Sequence, residues 1–338
     1  MELHVEKVTK AFVRRESRKD QVKALNQLSL TVYAGQIYGL LGVNGAGKST
    51  LLNCISTILA PDGGRIIIKK VTAPRVLNLT KNPNQGRKHI IFCFQDPKFD
   101  MRLTVGKNLA FHARMFGLPR EAAKKEVKGY LQKFQLWERR DERIHALSGG
   151  MKKQLENIRG FIIAQLTDRQ DKLFIIDEPT AYCDVTARHL IWQELLVHVE
   201  CGGTILFSTN DLSEAEELTD RPNARLGFIK GGKIIVEGSL ATIKHDMTTV
   251  NNINLTFSPD EAIMVETILP RFQDTLSSAG LVVPTVLDWQ SPHLQIQEIP
   301  EASLPKIINH AVGFFSTENI AIERLERHRP SLNELFVQ

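Results

Sequence analysis

Nine consecutive residues, Gly42-Val43-Asn44-Gly45-Ala46-Gly47-Lys48-Ser49-Thr50, have the types and spacing needed to hold a polyphosphate. They fit the pattern G-x-x-x-x-G-K-[ST], in which backbone N–H groups at a helix N-terminus cradle phosphate oxygens. In that pattern Lys48 reaches the β- and γ-phosphates and Ser49 offers its hydroxyl to Mg²⁺. Asn44, Gly45, Ala46, Gly47, Lys48, Ser49 and Thr50 are therefore candidate nucleotide contacts, and Ser49 is also a candidate metal ligand. A glycine-rich turn with a chance Lys-Ser is the plain alternative, and the flanks argue against it. Gln36-Ile37-Tyr38-Gly39-Leu40-Leu41 reads as a short buried strand, and Leu51-Leu52-Asn53-Cys54-Ile55 begins an apolar helix.

Two more motifs bear on the same chemistry. In Leu173-Phe174-Ile175-Ile176-Asp177-Glu178-Pro179-Thr180 an apolar strand delivers two acids to a sheet edge. Asp177 is placed to hold Mg²⁺ through water, and Glu178 to polarise an attacking water. Adjacent acids at a strand end often form only a solvated loop, but these follow a phosphate loop at a distance that suits one domain. Leu147-Ser148-Gly149-Gly150-Met151 directly precedes the helical pattern Lys152 to Ile158. Ser148 in that position would also serve as a simple N-cap.

The elements that must position these motifs alternate along the chain. Leu3–Val8 and Leu28–Val32 alternate as half-exposed strands, Arg65–Ile68 follows a Pro-Asp-Gly-Gly turn, and His89–Phe94 reads as a buried strand. The spacing from about Thr104 to Leu166 is helical, and strands return at Leu173–Ile176 and Thr204–Phe207. Phe228–Val236 is expected to be a hairpin turning at Gly231-Gly232. Such alternation implies an α/β fold with a mainly parallel sheet and ligands at its carboxyl edge. Beyond His245 the order becomes strand (Val250–Phe257), helix (Asp260–Leu276), two strands (Leu281–Trp289, His293–Ile299), helix (Glu301–Val312) and strand (Ile320–Leu325), before a terminal helix at Ser331–Val337. That β-α-β-β-α-β order predicts a small ferredoxin-like accessory domain.

At 338 residues the chain has room for two domains. A net charge of +5 without a dense basic stripe gives no reason to invoke nucleic acid, and the densest basic run, 14–20, is interrupted by acids. Cys54, Cys93, Cys183 and Cys201 are scattered without a C-x-x-C pair, which argues against zinc or a disulfide framework and for reduced thiols in the cytosol. The N-terminus lacks the pattern of a signal peptide, and no apolar run approaches the roughly 20 residues of a membrane span.

Together the phosphate loop, the Ser148-Gly149-Gly150 signature and the Asp177-Glu178 pair resemble the ATP-binding-cassette family over about residues 1–243. The resemblance implies a P-loop NTPase (RecA-like) cassette with an antiparallel β subdomain and a helical signature subdomain at about 98–165, ahead of the accessory domain at 248–338. It matches Asp184 to the family's D-loop aspartate, and Gln95 to the Q-loop glutamine that senses metal and γ-phosphate. It also sets Phe12 where an aromatic ring stacks on adenine, although a lone Phe near a strand is as often core. It implies a second cassette, identical or a sister subunit, whose phosphate loop shares ATP with Ser148, Gly149 and Gly150. An integral-membrane permease is the other implied partner, which would hold the chain at the cytoplasmic face of a membrane as a peripheral subunit. Arg102-Leu103-Thr104-Val105, Met151 and the ending Pro330–Phe336 look like the daunorubicin-resistance type of exporter.

The sequence also departs from that family. In Ser208-Thr209-Asn210-Asp211 an asparagine stands where the family has a histidine, and asparagine cannot shuttle a proton. Asn210 is thus a candidate catalytic residue beside Glu178 and Gln95, and slow turnover is an expectation. The stretch 165–171 and the Tyr182-Cys183 pair add to the divergence. Two readings stay open at this point: an exporter ATPase, or a hydrolysis-impaired ATP-gated cassette in a regulatory or non-transport role. A P-loop GTPase or kinase would leave the Leu147–Met151 signature unexplained.

Overall fold

Leu3 and Val5 are buried while Glu2, His4 and Glu6 are not, the period of a strand with one face on a core, and a register shift beyond Val5 puts Val8 on that buried side. This strand, β1 (Glu2–Val13), is followed by β2 (Gln21–Val32), β3 (Ile37–Leu41), α1 (Lys48–Ile55), β4 (Gly63–Lys69), β5 (Val76–Asn78), α2 (Pro83–Arg87) and β6 (Ile90–Cys93). Three helices come next, α3 (Val105–Met115), α4 (Arg120–Lys133) and α5 (Gly149–Gln165), so the helical stretch is broken at Phe116–Pro119 and again at Phe134–Ser148. The chain then alternates through β7 (Leu173–Asp177), α6 (Val185–Glu200), β8 (Thr204–Thr209), α7 (Leu212–Thr219), β9 (Ala224–Lys230) and β10 (Lys233–Gly238). The computed structural model describes residues 1–13, 21–70, 76–165, 171–248, 250–279, 281, 287–300 and 302–328. The basic run at 14–20, most of the 165–171 stretch and the ending at 330–336 lie outside the described residues.

Two sheets build the first compact unit, Met1–Leu240. One is antiparallel, in the order β2-β1-β4-β5. The other has the order β10-β9-β3-β8-β7-β6, parallel except for the β9–β10 hairpin. All residues of β3, β7 and β8 are buried, as expected of central strands covered on both faces. One core, around Leu3, Leu28, Leu52 and Ile68, joins the antiparallel sheet to α1. A second, around Leu109, Leu131, Phe161 and Phe174, joins the parallel sheet to α3, α4 and α5.

The register of the parallel sheet decides where the chemistry sits. Leu41 pairs with Thr209, Asp177 with Ser208 and Cys93 with Ile176. The segments leaving β3, β8, β7 and β6 therefore emerge side by side at one carboxyl edge. They carry the phosphate loop, Asn210, Glu178 and Gln95 respectively.

The second unit, Ala241–Gln338, begins within α8 (Leu240–Thr248), so its boundary falls ahead of the expected 243–248 junction, which runs through that helix. It continues with β11 (Val250–Phe257), α9 (Ala262–Ser278), β12 (Leu287–Gln290), β13 (His293–Pro300), α10 (Leu304–Thr317) and β14 (Ile322–His328). Its sheet order is β12-β13-β11-β14 with every neighbour antiparallel, the topology of the ferredoxin-like arrangement. Phe257, Phe272 and Phe315 pack ring to ring at its centre, with centroids 4.8 and 5.1 Å apart.

Candidate active site

The phosphate loop owes its shape to two glycines with no room for a side chain. A Cβ on Gly42 would stand 2.5 Å from the Ile229 carbonyl oxygen, and one on Gly47 would stand 2.4 Å from that of Ala24. Gly47 also has φ +110° as the N-cap of α1, a conformation L side chains rarely adopt. The first intrahelical bond here runs from Leu51 N–H to the Gly47 carbonyl at 2.9 Å, so the amides of Lys48, Ser49 and Thr50 point out of the helix start. Lys48 is 5% exposed and donates Nζ to the Gly42 and Val43 carbonyls at 2.6 and 3.2 Å. Burial lowers its pKa, and the charges of Glu178 and Asp177 oppose that shift. A buried ammonium among peptide oxygens, with helix-start amides beside it, has the chemistry to hold a polyanion.

The acids lie two strands away from β3, across β8. Asp177, at the end of β7, is 4% exposed and accepts a hydrogen bond from the Ser208 hydroxyl. Glu178 has φ +49°, and its N–H donates to the Ser208 carbonyl at 3.0 Å. Gln95, exposed just after β6, donates Nε2 to Glu178 Oε2 at 3.1 Å, so these two candidates meet. Asn210 and Asn44 also meet, with Nδ2 of the first 3.4 Å from Oδ1 of the second. Phe12 pairs with Val22 near the end of β1, two residues from the Ala24 that backs Gly47; its ring is half-exposed, with Lys10 Nζ 5.9 Å from its centroid.

Ser148 and Asp184 both cap helices. Ser148 Oγ accepts from Met151 N–H at 3.2 Å at the start of α5, and Asp184 accepts from Ala187 N–H at 2.8 Å at the start of α6. Ser148 and Gly149 are exposed, whereas Gly150 is buried against Tyr182.

Sequence reasoning missed Glu214. It is 2% exposed in α7 and accepts hydrogen bonds from Thr180 at 2.6 Å, Trp192 at 3.3 Å and Thr209 at 2.6 Å. It thereby ties the segment after Glu178 to the one before Asn210. Burial raises its pKa, against the pull of those three donors. The signal was present: Glu214, Ala215, Leu218 and Thr219 fall on one buried helical face, whereas Glu217 is exposed.

Comparison with known proteins gives the same direction. Residues 25–181 match the ABC transporter family. The chain is 34% identical over 281 residues to the Nod factor export ATP-binding protein I of Neorhizobium galegae, covering 83% of this chain and 76% of that one. It is 34% identical over 227 residues to the daunorubicin/doxorubicin resistance ATP-binding protein DrrA of Streptomyces peucetius, covering 67% and 63%. In fold it resembles a dimeric ATP-binding cassette in a post-hydrolysis state bound to ADP and Pi, with a TM-score of 0.59 and 21% identity over 70% of this chain and 98% of that one. With a phosphate loop, paired acids and the Ser-Gly-Gly signature on this α/β frame, the chain belongs to the ATP-binding-cassette (ABC) transporter family, as an ATP-binding and ATP-hydrolysing subunit.

Proposed function

We propose that this cassette drives a membrane exporter, closing on a second cassette when ATP is bound and opening after hydrolysis. The contact that carries the reading is Gln95 Nε2 to Glu178 Oε2, because it joins the acid to the segment leading into the helical layer. In this reading Lys48 and the amides of Asn44 to Thr50 hold the ATP phosphates, and Phe12 offers its half-exposed ring to adenine. Glu178 orients a water on the γ-phosphate and takes up its proton, while Gln95 keeps the carboxylate aimed. Asn210 donates a hydrogen bond to the phosphate from the position it shares with Asn44.

The donor set here also suits Mg²⁺. One buried carboxylate (Asp177), one hydroxyl (Ser49) and the Gln95 amide oxygen are hard oxygen ligands, few in number, as Mg²⁺ beside phosphates takes. No cluster of three or more His, Cys, Asp and Glu competes among the described residues. When bound, the ion neutralises charge on the β- and γ-phosphates.

Ser148 and Gly149 are exposed, as donors that serve a second cassette's ATP must be, and Asp184 stands at the same face beside Tyr182. No helix among the described residues is long and apolar enough to cross a membrane, so attachment is proposed through a separate permease. A cleft of about 280 Å³ lined by Ile58, Phe94, Phe116 and Ile163 together with Arg87 and Arg159 has room for a side chain or two of a permease segment. Beside it, Asn108 folds the segment after Gln95 by bonding the Asp100 N–H and carbonyl, each at 3.0 Å. Export is preferred because the relatives at about a third identity are named for Nod factor export and drug resistance.

The test pairs two measurements. The native chain should hydrolyse Mg-ATP, and Glu178→Gln should lower kcat by about 10²–10⁴-fold while retaining ATP. Expressed with its genomic neighbours, the chain should co-purify with an integral-membrane protein; a chain found only in the soluble fraction would sink the exporter reading.

A further inference from the structure

Glu178 sits in a left-handed backbone conformation, φ +49°, which a non-glycine residue keeps only where its surroundings over-determine it. Two of the groups that do so come from α5. Lys153, 1% exposed, donates Nζ to the Asp177 carbonyl at 2.6 Å and to the Phe94 carbonyl at 2.7 Å. One turn further, the fully buried Asn157 donates Nδ2 to the Pro179 carbonyl at 2.7 Å. The carbonyls of the residues on both sides of Glu178 are thus held by one helix. Lys153 also grips the residue before Gln95, and Glu156 between the two accepts the Phe94 N–H at 2.9 Å.

Burying an ammonium and an amide costs stability that apolar side chains would not. α5 otherwise buries Leu155, Ile158, Phe161 and Ile162, and of its buried polar side chains Lys153, Glu156 and Asn157 meet the backbone around the candidate acid and glutamine. The helix begins at Gly149, inside the signature. We propose that Lys153 and Asn157 are positioning residues that pass the placement of the signature helix to the backbones of Glu178 and Gln95. The acid's aim then depends on where α5 is held, and a second cassette engaging the signature would tune hydrolysis through these two side chains.

The inference rests on Glu178 being the water-polarising acid, and the test separates the two ideas. In the full chain, kcat and KM for Mg-ATP are measured for Lys153→Met, Lys153→Arg, Asn157→Leu and Glu178→Gln. Rates are normalised to the fraction that binds a fluorescent ATP analogue. Lys153→Met and Asn157→Leu should lower kcat about tenfold to hundredfold with KM within twofold, as expected for displacement of a catalytic group by an ångström or less. Lys153→Arg, which keeps the donors, should recover most of the rate. If Lys153→Met does not fold, Asn157→Leu, of similar volume, carries the test alone. Native kcat per binding-competent molecule, or a loss confined to KM, overturns the inference when Glu178→Gln is inactive. Native hydrolysis by Glu178→Gln overturns the reading of Glu178 instead.

Discussion

Gly150 offers a perturbation whose size follows from its packing against Tyr182. A Cβ there would stand 2.2 Å from the Tyr182 carbonyl oxygen and 3.1 Å from its carbon. Restoring an ordinary contact of about 3.4 Å moves either the start of α5 or the Tyr182 peptide by roughly 1 Å. Both ends of that contact belong to the proposed site, since Gly150 lies in the signature and Tyr182 separates Glu178 from Asp184. A misplacement of about 1 Å lowers turnover on the order of 10²-fold, and overpacking of this kind costs about 1–3 kcal/mol of stability. Gly150→Ala should therefore reduce kcat by roughly two orders of magnitude and Tm by several degrees, with ATP affinity at the phosphate loop unchanged. Its neighbour is the control, because a Cβ on Gly149 meets nothing nearer than the Tyr182 ring and Cβ at 3.9 Å. Gly149→Ala should leave Tm where it is.

A suppressor completes the argument. Tyr182 has φ +62° and is 81% exposed, so its left-handed backbone costs about 1–2 kcal/mol that glycine would not incur. In Gly150→Ala/Tyr182→Gly the freed peptide can turn aside, and part of the lost stability and turnover should return. The assays are steady-state ATP hydrolysis, analogue binding and thermal melting. A Gly150→Ala protein with native kcat and native Tm, or a Gly149→Ala protein equally destabilised, would refute the packing argument.

Two more predictions follow from single side chains. Asn210→His should raise kcat on the order of tenfold without changing ATP affinity, because Asn210 and its partner Asn44 are exposed and the imidazole adds a proton carrier; an unchanged steady-state rate would mean that the amide suffices at this position. Glu214 has a pKa raised above its ordinary 4.5, so the folded chain keeps a proton that the unfolded chain has released. Stability from this group is greatest below about pH 4.5 and falls as pH rises toward the folded value. The Tm advantage of the native chain over Glu214→Gln should therefore shrink as pH rises above about 4.5; a flat or growing difference in melting scans would contradict it.

The chemistry was legible in the sequence where it is local. Gly42–Thr50 and Asp177-Glu178 each combine an apolar strand with the residues that follow it, and the alternation of strands and helices implied that they share a carboxyl edge. The pairing of Leu41 with Thr209 and Asp177 with Ser208 brings Asn210, Glu178 and the loop side by side there. Register of that kind comes from contacts between residues far apart in the chain, which a motif does not report. Ser148 was legible as an N-cap, whereas the capping role of Asp184 lay behind its resemblance to a nucleotide contact. Both side chains accept an N–H three residues on, a bond that Ser and Asp make at many helix starts whatever else they do.

The polar residues of α5 were hidden for a different reason. Lys152, Lys153 and Gln154 are polar types usually left in water, yet Lys153 and Gln154 are buried and Lys152 is only partly exposed. A helical period marks burial only when one face meets water, and thirteen of the seventeen residues of α5 are buried. Without a wet face there is no pattern to violate, so Lys153 and Asn157 carry no flag in the sequence. Their meaning appears only when the carbonyls they hold are identified, and those carbonyls belong to the residues on either side of a strained glutamate. A polar group on a helix buried nearly all round is therefore best interpreted by the backbone it satisfies, and here that backbone is the one that aims the proposed acid.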